Sequence, residues 1–79
     1  MVTVLPEAAF RVVIYLDDHM PAHVHIYGDG EAKINLAGAG GAPQLVWAAS
    51  MTTGEVRKAM RLISTHQTIL LKKWSEIHG

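Results

Sequence analysis

The run His23-Val24-His25-Ile26-Tyr27-Gly28-Asp29-Gly30-Glu31-Ala32-Lys33-Ile34-Asn35-Leu36 decides the fold of this chain. Polar and apolar residues alternate on both sides of a Gly-Asp-Gly turn signal, the pattern of a β-hairpin with one buried face. Register then decides which side chains share a face. A two-residue loop of Asp29 and Gly30 would set His25 opposite Ile34 and mix polar with apolar on both faces. A three-residue loop, with Gly30 in the left-handed bulge position, pairs Tyr27 with Glu31, His25 with Lys33 and His23 with Asn35. It also pairs Ile26 with Ala32 and Val24 with Ile34, on the opposite face. A slip of one residue would invert every side chain, so the segregated register is the predicted one.

Outward from the hairpin, Phe10 to Leu16 is rich in β-branched and aromatic residues and ends at Asp17-Asp18, which reads as a strand. With Phe10, Val12, Ile14 and Leu16 toward the core, this strand adds Arg11, Tyr15 and Asp17 to the histidine face. Ala37 to Pro43 is a flexible Gly/Ala connection, and Gln44 to Ala48 is a short fourth strand. Thr52 or Thr53 then caps a helix. From there Val56, Met60, Ile63, Gln67, Leu70, Trp74 and Ile77 recur at alternating spacings of four and three, one apolar stripe interrupted at Gln67. The stripe predicts a single helix of about 25 residues, with Ser64-Thr65-His66 the place for a kink. Trp47 and Trp74 sit at apolar positions and are read as core anchors. His66 and His78 stand apart on the helix, facing solvent or capping. The fold class predicted is α+β: one domain over residues 1–79, a three- to four-stranded antiparallel sheet covered on one face by a long C-terminal helix.

Composition bounds the function classes. The chain has 79 residues, 49% of them hydrophobic, and no cysteine. A domain this short buries only roughly 60% of its unfolded surface, and it has neither disulfide nor thiolate metal site to add. A compact apolar core helped by self-association is the expectation, in a reducing cytoplasm. The opening residues Met1 to Glu7 carry no basic residue before their apolar stretch and do not read as a secretory signal. The uncharged run from Ile34 to Gly54 is broken by Gly38, Gly40, Gly41 and Pro43 and does not read as a membrane span. Formal net charge is zero, yet residues 1–50 balance at −3 (Glu7, Asp17, Asp18, Asp29, Glu31 against Arg11, Lys33). Residues 51–79 balance at +3 (Arg57, Lys58, Arg61, Lys72, Lys73 against Glu55, Glu76), a split that favours head-to-tail contact, an acidic partner or local phosphate binding, or is simply a solvated basic helix face.

Three of the five histidines lie within Asp17-Asp18-His19-Met20-Pro21-Ala22-His23-Val24-His25. On a strand, His23 and His25 project from one face about 6.5–7 Å apart, and Asp18 and His19 fold over them from the loop. Three readings compete. His23 and His25 with His19 or a carboxylate make a three-ligand set for zinc or another divalent ion. Alternatively, His23 or His25 moves a proton while Arg11 or Lys33 holds a phosphate. The third reading is a polar outer face whose histidines pair across strands and line a partner interface.

These residues also carry a resemblance. Asp18-His19-Met20-Pro21-Ala22-His23-Val24-His25, followed by Gly28-Asp29-Gly30-Glu31-Ala32-Lys33, resembles the bacterial domain of unknown function 4160 family, with its D-H-x-P-P-H-V-H pattern, glycine turn and E-A-K. The likeness runs over nearly the whole chain, through Leu70-Leu71-Lys72-Lys73-Trp74 in the late helix. It departs at Ala22, where the family usually has a second proline, leaving the loop less rigid. The resemblance implies a member of a toxin–antitoxin-type gene pair with a small cognate protein. The toxin role is the leading expectation, with RNA cleavage by histidine acid–base chemistry. The functional residues it implies are His19, His23, His25, Glu31 and Lys33. The competing expectations are a non-enzymatic binding module, antitoxin or regulator, and a divalent-metal-binding domain. A homodimer fits any of them.

Overall fold

The computed structural model describes residues 2–6 and 10–78. The strands are β1 (Val2–Pro6), β2 (Arg11–Ile14), β3 (His23–Tyr27), β4 (Glu31–Asn35) and β5 (Gln44–Ala49), followed by helices α1 (Thr53–Thr65) and α2 (Gln67–His78). The sheet is an antiparallel meander in the order β1-β2-β3-β4-β5. The four predicted strands are present, and β1 adds a fifth at one edge. Pro6, which donates no ladder hydrogen bond, is tolerated at that edge.

The β3–β4 hairpin has the predicted register, from Tyr27↔Glu31 to His23↔Asn35. Gly30 is a correction. It is not among the glycines of positive φ, which are Gly40 and Gly41 in the β4–β5 connection. Glycine is needed at position 30 for space instead: a Cβ there would collide with the carbonyl oxygens of Ala49 and Ser50. The backbone at the end of β5 passes directly over the turn.

Both helices pack on the Val24/Ile26 face. The core joins Phe10, Val12, Ile14, Val24, Ile26, Ile34 and Leu36 from the sheet side to Ala59, Ile63, Leu70 and Trp74 from the helices. Thr52 caps α1 through a reciprocal box: its hydroxyl accepts from the Glu55 N–H, and the Glu55 carboxylate accepts from the Thr52 N–H. The predicted long helix breaks at the predicted place. The His66 N–H is shared between the Leu62 and Ile63 carbonyls, and the Thr65 hydroxyl donates back to the Arg61 carbonyl. Such local alternatives to the helical ladder favour a break there.

Gln67, the gap in the apolar stripe, donates through Nε2 to the carbonyls of Leu36 (2.7 Å) and Gly41 (2.6 Å), tying α2 to the β4–β5 connection. Two apolar assignments need correction. Leu16 lies beyond the end of β2 and is 65% exposed, because the chain turns away at Ile14 before Leu16 can reach the helices. Trp47 is 40% exposed on edge strand β5 opposite Lys33, on the face away from the helices, so it anchors no core. Trp74 is the buried tryptophan, as expected. No helix of the described residues is long and apolar enough to cross a membrane.

Candidate metal centre

β2 and β3 bring a cluster of polar rings to the face opposite the core. Val13, itself fully buried, pairs with His25, and Arg11 pairs with Tyr27. Tyr15, just past β2, meets the His25 ring edge-on at 4.9 Å between centroids, and its hydroxyl hydrogen-bonds that of Tyr27. Burial, the Tyr15 hydroxyl and the Glu31 carboxylate together push the Tyr27 phenol well above the usual tyrosine range. The Tyr27 phenol therefore serves as a neutral group at neutral pH. The Arg11 guanidinium lies 5.3 Å from the Tyr27 ring centroid.

His23 and His25 share the face, as predicted, with ring centroids 5.4 Å apart. Their exposure differs from the expectation of two outward-pointing side chains. His23 is only 4% exposed. The last turns of α2 come down beside this end of the sheet, placing Trp74 at 5.2 Å from the His23 ring. His78 stacks on Trp74 at 3.8 Å and reaches the Tyr15 carbonyl through Nε2 at 3.2 Å, so it closes the sheet end rather than facing solvent.

The bonding of His23 is informative. Its Nδ1 faces the Pro21 carbonyl at 2.9 Å, and its Nε2 faces Asp18 Oδ2 at 3.1 Å. The loop that carries Asp18 and Pro21 turns back on the sheet through a cis Met20–Pro21 bond. A neutral imidazole has a single N–H and satisfies one acceptor only. With Nδ1–H on the carbonyl, the Nε2 lone pair points at a carboxylate, and the contact is completed by a second proton or by a cation between them. Metal-ligating histidines are commonly held this way, with one ring N–H donating to a backbone carbonyl so that the lone pair of the other nitrogen is directed at the metal.

His25 poses the same question differently. Its Nδ1 is buried with no hydrogen-bond partner among the described residues, and Glu31 Oε2 stands 3.5 Å away, too far for a good bond. A buried orphan nitrogen costs roughly 1–3 kcal/mol unless an ion or water completes it. One ligand atom each from Asp18, His23 and His25 lie within 4.8 Å of one another. Ligand atoms of a tetrahedral zinc site sit about 3.3 Å apart, so small side-chain rotations draw this set in. Two imidazoles and one carboxylate suit zinc, and equally iron(II) or another first-row divalent ion.

The other predicted site residues frame this centre. Glu31 is half-buried beside His25. Lys33 is half-buried opposite it on β4. His19 is exposed and stands outside the three-residue group; it lines a groove of about 480 Å³ with Asp18 and Met20 on the loop side and Leu71, Trp74, Ser75 and His78 from α2. Among these, sequence reasoning did not single out Tyr15, Tyr27 and Trp74 as parts of the site. The signal for the tyrosines was present in the register, which puts both on the histidine face.

The family profile described as Domain of unknown function (DUF4160) matches residues 9–75. No curated protein and no solved structure matches the chain. The match spans β2 to α2 and contains every residue of the cluster except His78. The chain belongs to this family.

Proposed function

We propose that this DUF4160 member binds a divalent cation of the zinc class through Asp18, His23 and His25. We further propose that the loaded sheet end is the working surface of a toxin-type effector. The observation that carries the reading is the convergence of three ligand atoms within 4.8 Å, one of its histidines holding a buried, unpartnered Nδ1. The effector role, with a small cognate protein encoded alongside and RNA as target in the cytoplasm, is supported by the family resemblance. A bound divalent ion supplies a water of lowered pKa and charge for a phosphoryl oxygen. The chain's own residues then have defined tasks. Arg11 and Lys33 attract the phosphate, the Tyr15–Tyr27 pair presents hydroxyl groups beside it, and Glu31 adds negative charge next to His25.

A second reading rests on the burial of His23. With that ring 4% exposed, the ion would chiefly pin the Asp18–Pro21 loop to the sheet, and the chain would act by binding its partner. Growth distinguishes the two. Induced without its gene neighbour, the chain should slow growth, and Asp18→Asn or His25→Ala should relieve this while circular dichroism shows an intact fold. Full toxicity in both folded variants would refute the centre as working surface. A harmless chain that protects cells from its neighbour would make it the binding partner.

A further inference from the structure

β5 is an edge strand that lacks most of the usual protection. Among the described residues it pairs only with β4, so its outer row of backbone N–H and C=O groups faces solvent. All six of its residues are exposed, including Leu45 at 37%, Val46 at 46% and Trp47 at 40%. Natural sheets blunt such edges with lysine, proline or inward charge, because an open apolar edge templates further pairing. Here no charged side chain occurs anywhere from Ile34 to Gly54, and proline stands only at position 43, before the strand begins. One bulge at Val46, opposite the step from Lys33 to Ile34, interrupts the ladder with β4. It leaves Trp47–Ala49 as a regular run and turns an additional apolar side chain toward solvent.

We propose that Gln44–Ala49 pairs antiparallel with the same strand of a second copy of this chain, about a two-fold axis, joining the two sheets edge to edge. The occupant follows from charge and symmetry. Two copies of an uncharged strand meet in antiparallel register without like-charge repulsion, and an axis near Val46 or Trp47 sets Leu45, Val46, Trp47 and Ala48 of one copy against the same apolar residues of the other. A cognate partner recruited through charge would use the basic helices instead, where Arg57, Lys58, Arg61, Lys72 and Lys73 are exposed. Size argues in the same direction, because a 79-residue domain without disulfides gains most from burying a further apolar edge. The proposal is independent of the cation.

Sedimentation equilibrium of the full chain over micromolar to millimolar concentration tests it. The expected result is a species of twice 8.6 kDa that dissociates on dilution. Val46→Lys should weaken the association by roughly tenfold or more, by placing paired like charges at the seam, and Leu45→Lys should act in the same direction. Ile69→Lys, an equally exposed apolar residue (48%) on α2, should leave it unchanged. A wild-type chain that stays monomeric throughout overturns the proposal. So does a dimer indifferent to both β5 substitutions, or an open-ended series of larger species, which would mean β5 joining β1 of the next copy.

Discussion

Replacing His23 by alanine separates a buried, bonded histidine from a surface one. The ring is 4% exposed and packs between Trp74 and His25, so its removal leaves a void that the sheet end cannot readily collapse. Large-to-small changes in such places cost roughly 2–5 kcal/mol. Two polar contacts go with it: the Pro21 carbonyl loses its donor, and the largely buried Asp18 carboxylate loses its contact at 3.1 Å and keeps, among the described residues, only the Tyr15 N–H. An imidazole leaves a smaller void than a large aliphatic side chain, so the expected loss is about 2–4 kcal/mol. In a domain of this size that lowers Tm by roughly 10–25 °C. His25→Ala should cost clearly less, because its Nδ1 makes no hydrogen bond that the substitution would break. Urea denaturation of both variants, each measured in chelator, gives the two values. A His23→Ala variant within about 0.5 kcal/mol of wild type, the range of an ordinary surface change, would refute the packing argument.

Three further outcomes follow from local geometry. Hydrogen bonds from Thr52 hold the exposed Glu55 carboxyl below the usual carboxylate range, so its contribution is present above that range and lost as pH falls through the depressed value. The Tm difference between wild type and Glu55→Ala should accordingly shrink on acidification. Tyr27 is shifted the opposite way: the unfolded phenol ionises near its usual pKa of 10 while the folded one stays protonated, so stability falls as pH rises above that point. Absorbance at the phenolate band should show Tyr27 ionising only with unfolding, and Tyr15→Phe should lower its pKa. Gly30→Ala should destabilise the chain by about 1–3 kcal/mol, the usual cost of overpacking, because the added methyl meets the Ala49 and Ser50 carbonyls; an unchanged denaturation midpoint would show that the β5 backbone yields freely.

The parts of the fold legible in the sequence are those fixed by short-range pattern. Alternation from His23 to Leu36 determined the hairpin register, since only one loop length keeps apolar residues on one face. Thr52 and Glu55 stand at the spacing a capping box requires, and the weak helix formers Ser64-Thr65-His66 marked the break. What escaped depends on contacts distant in sequence. Trp47 carries the residue type of a core anchor, but burial depends on what lies beyond the sheet edge, and among the described residues no strand pairs with the outer edge of β5. β1 is a five-residue strand ending in proline, too short for its pattern to declare itself. The candidate centre was half legible. His23 and His25 followed from strand geometry, with the third ligand open between His19 and a carboxylate. The turn after β2, in which the Tyr15 N–H donates to Asp18 Oδ2 and the Asp18 N–H to the Tyr15 carbonyl, sets Asp18 rather than the adjacent His19 against His23.

Zinc titration of the chelator-stripped chain, read by calorimetry and by metal content after dialysis, tests the central claim most directly. The expected result is one equivalent per wild-type chain, with stability rising by about 2.7 kcal/mol at zinc a hundredfold above Kd. Asp18→Asn and His25→Ala should lose the bound equivalent, while His19→Ala, whose ring stands outside the three-ligand group, should keep it. A wild-type chain that retains no zinc, iron(II), manganese or nickel would contradict the account, as would binding that depends on His19 and not on Asp18.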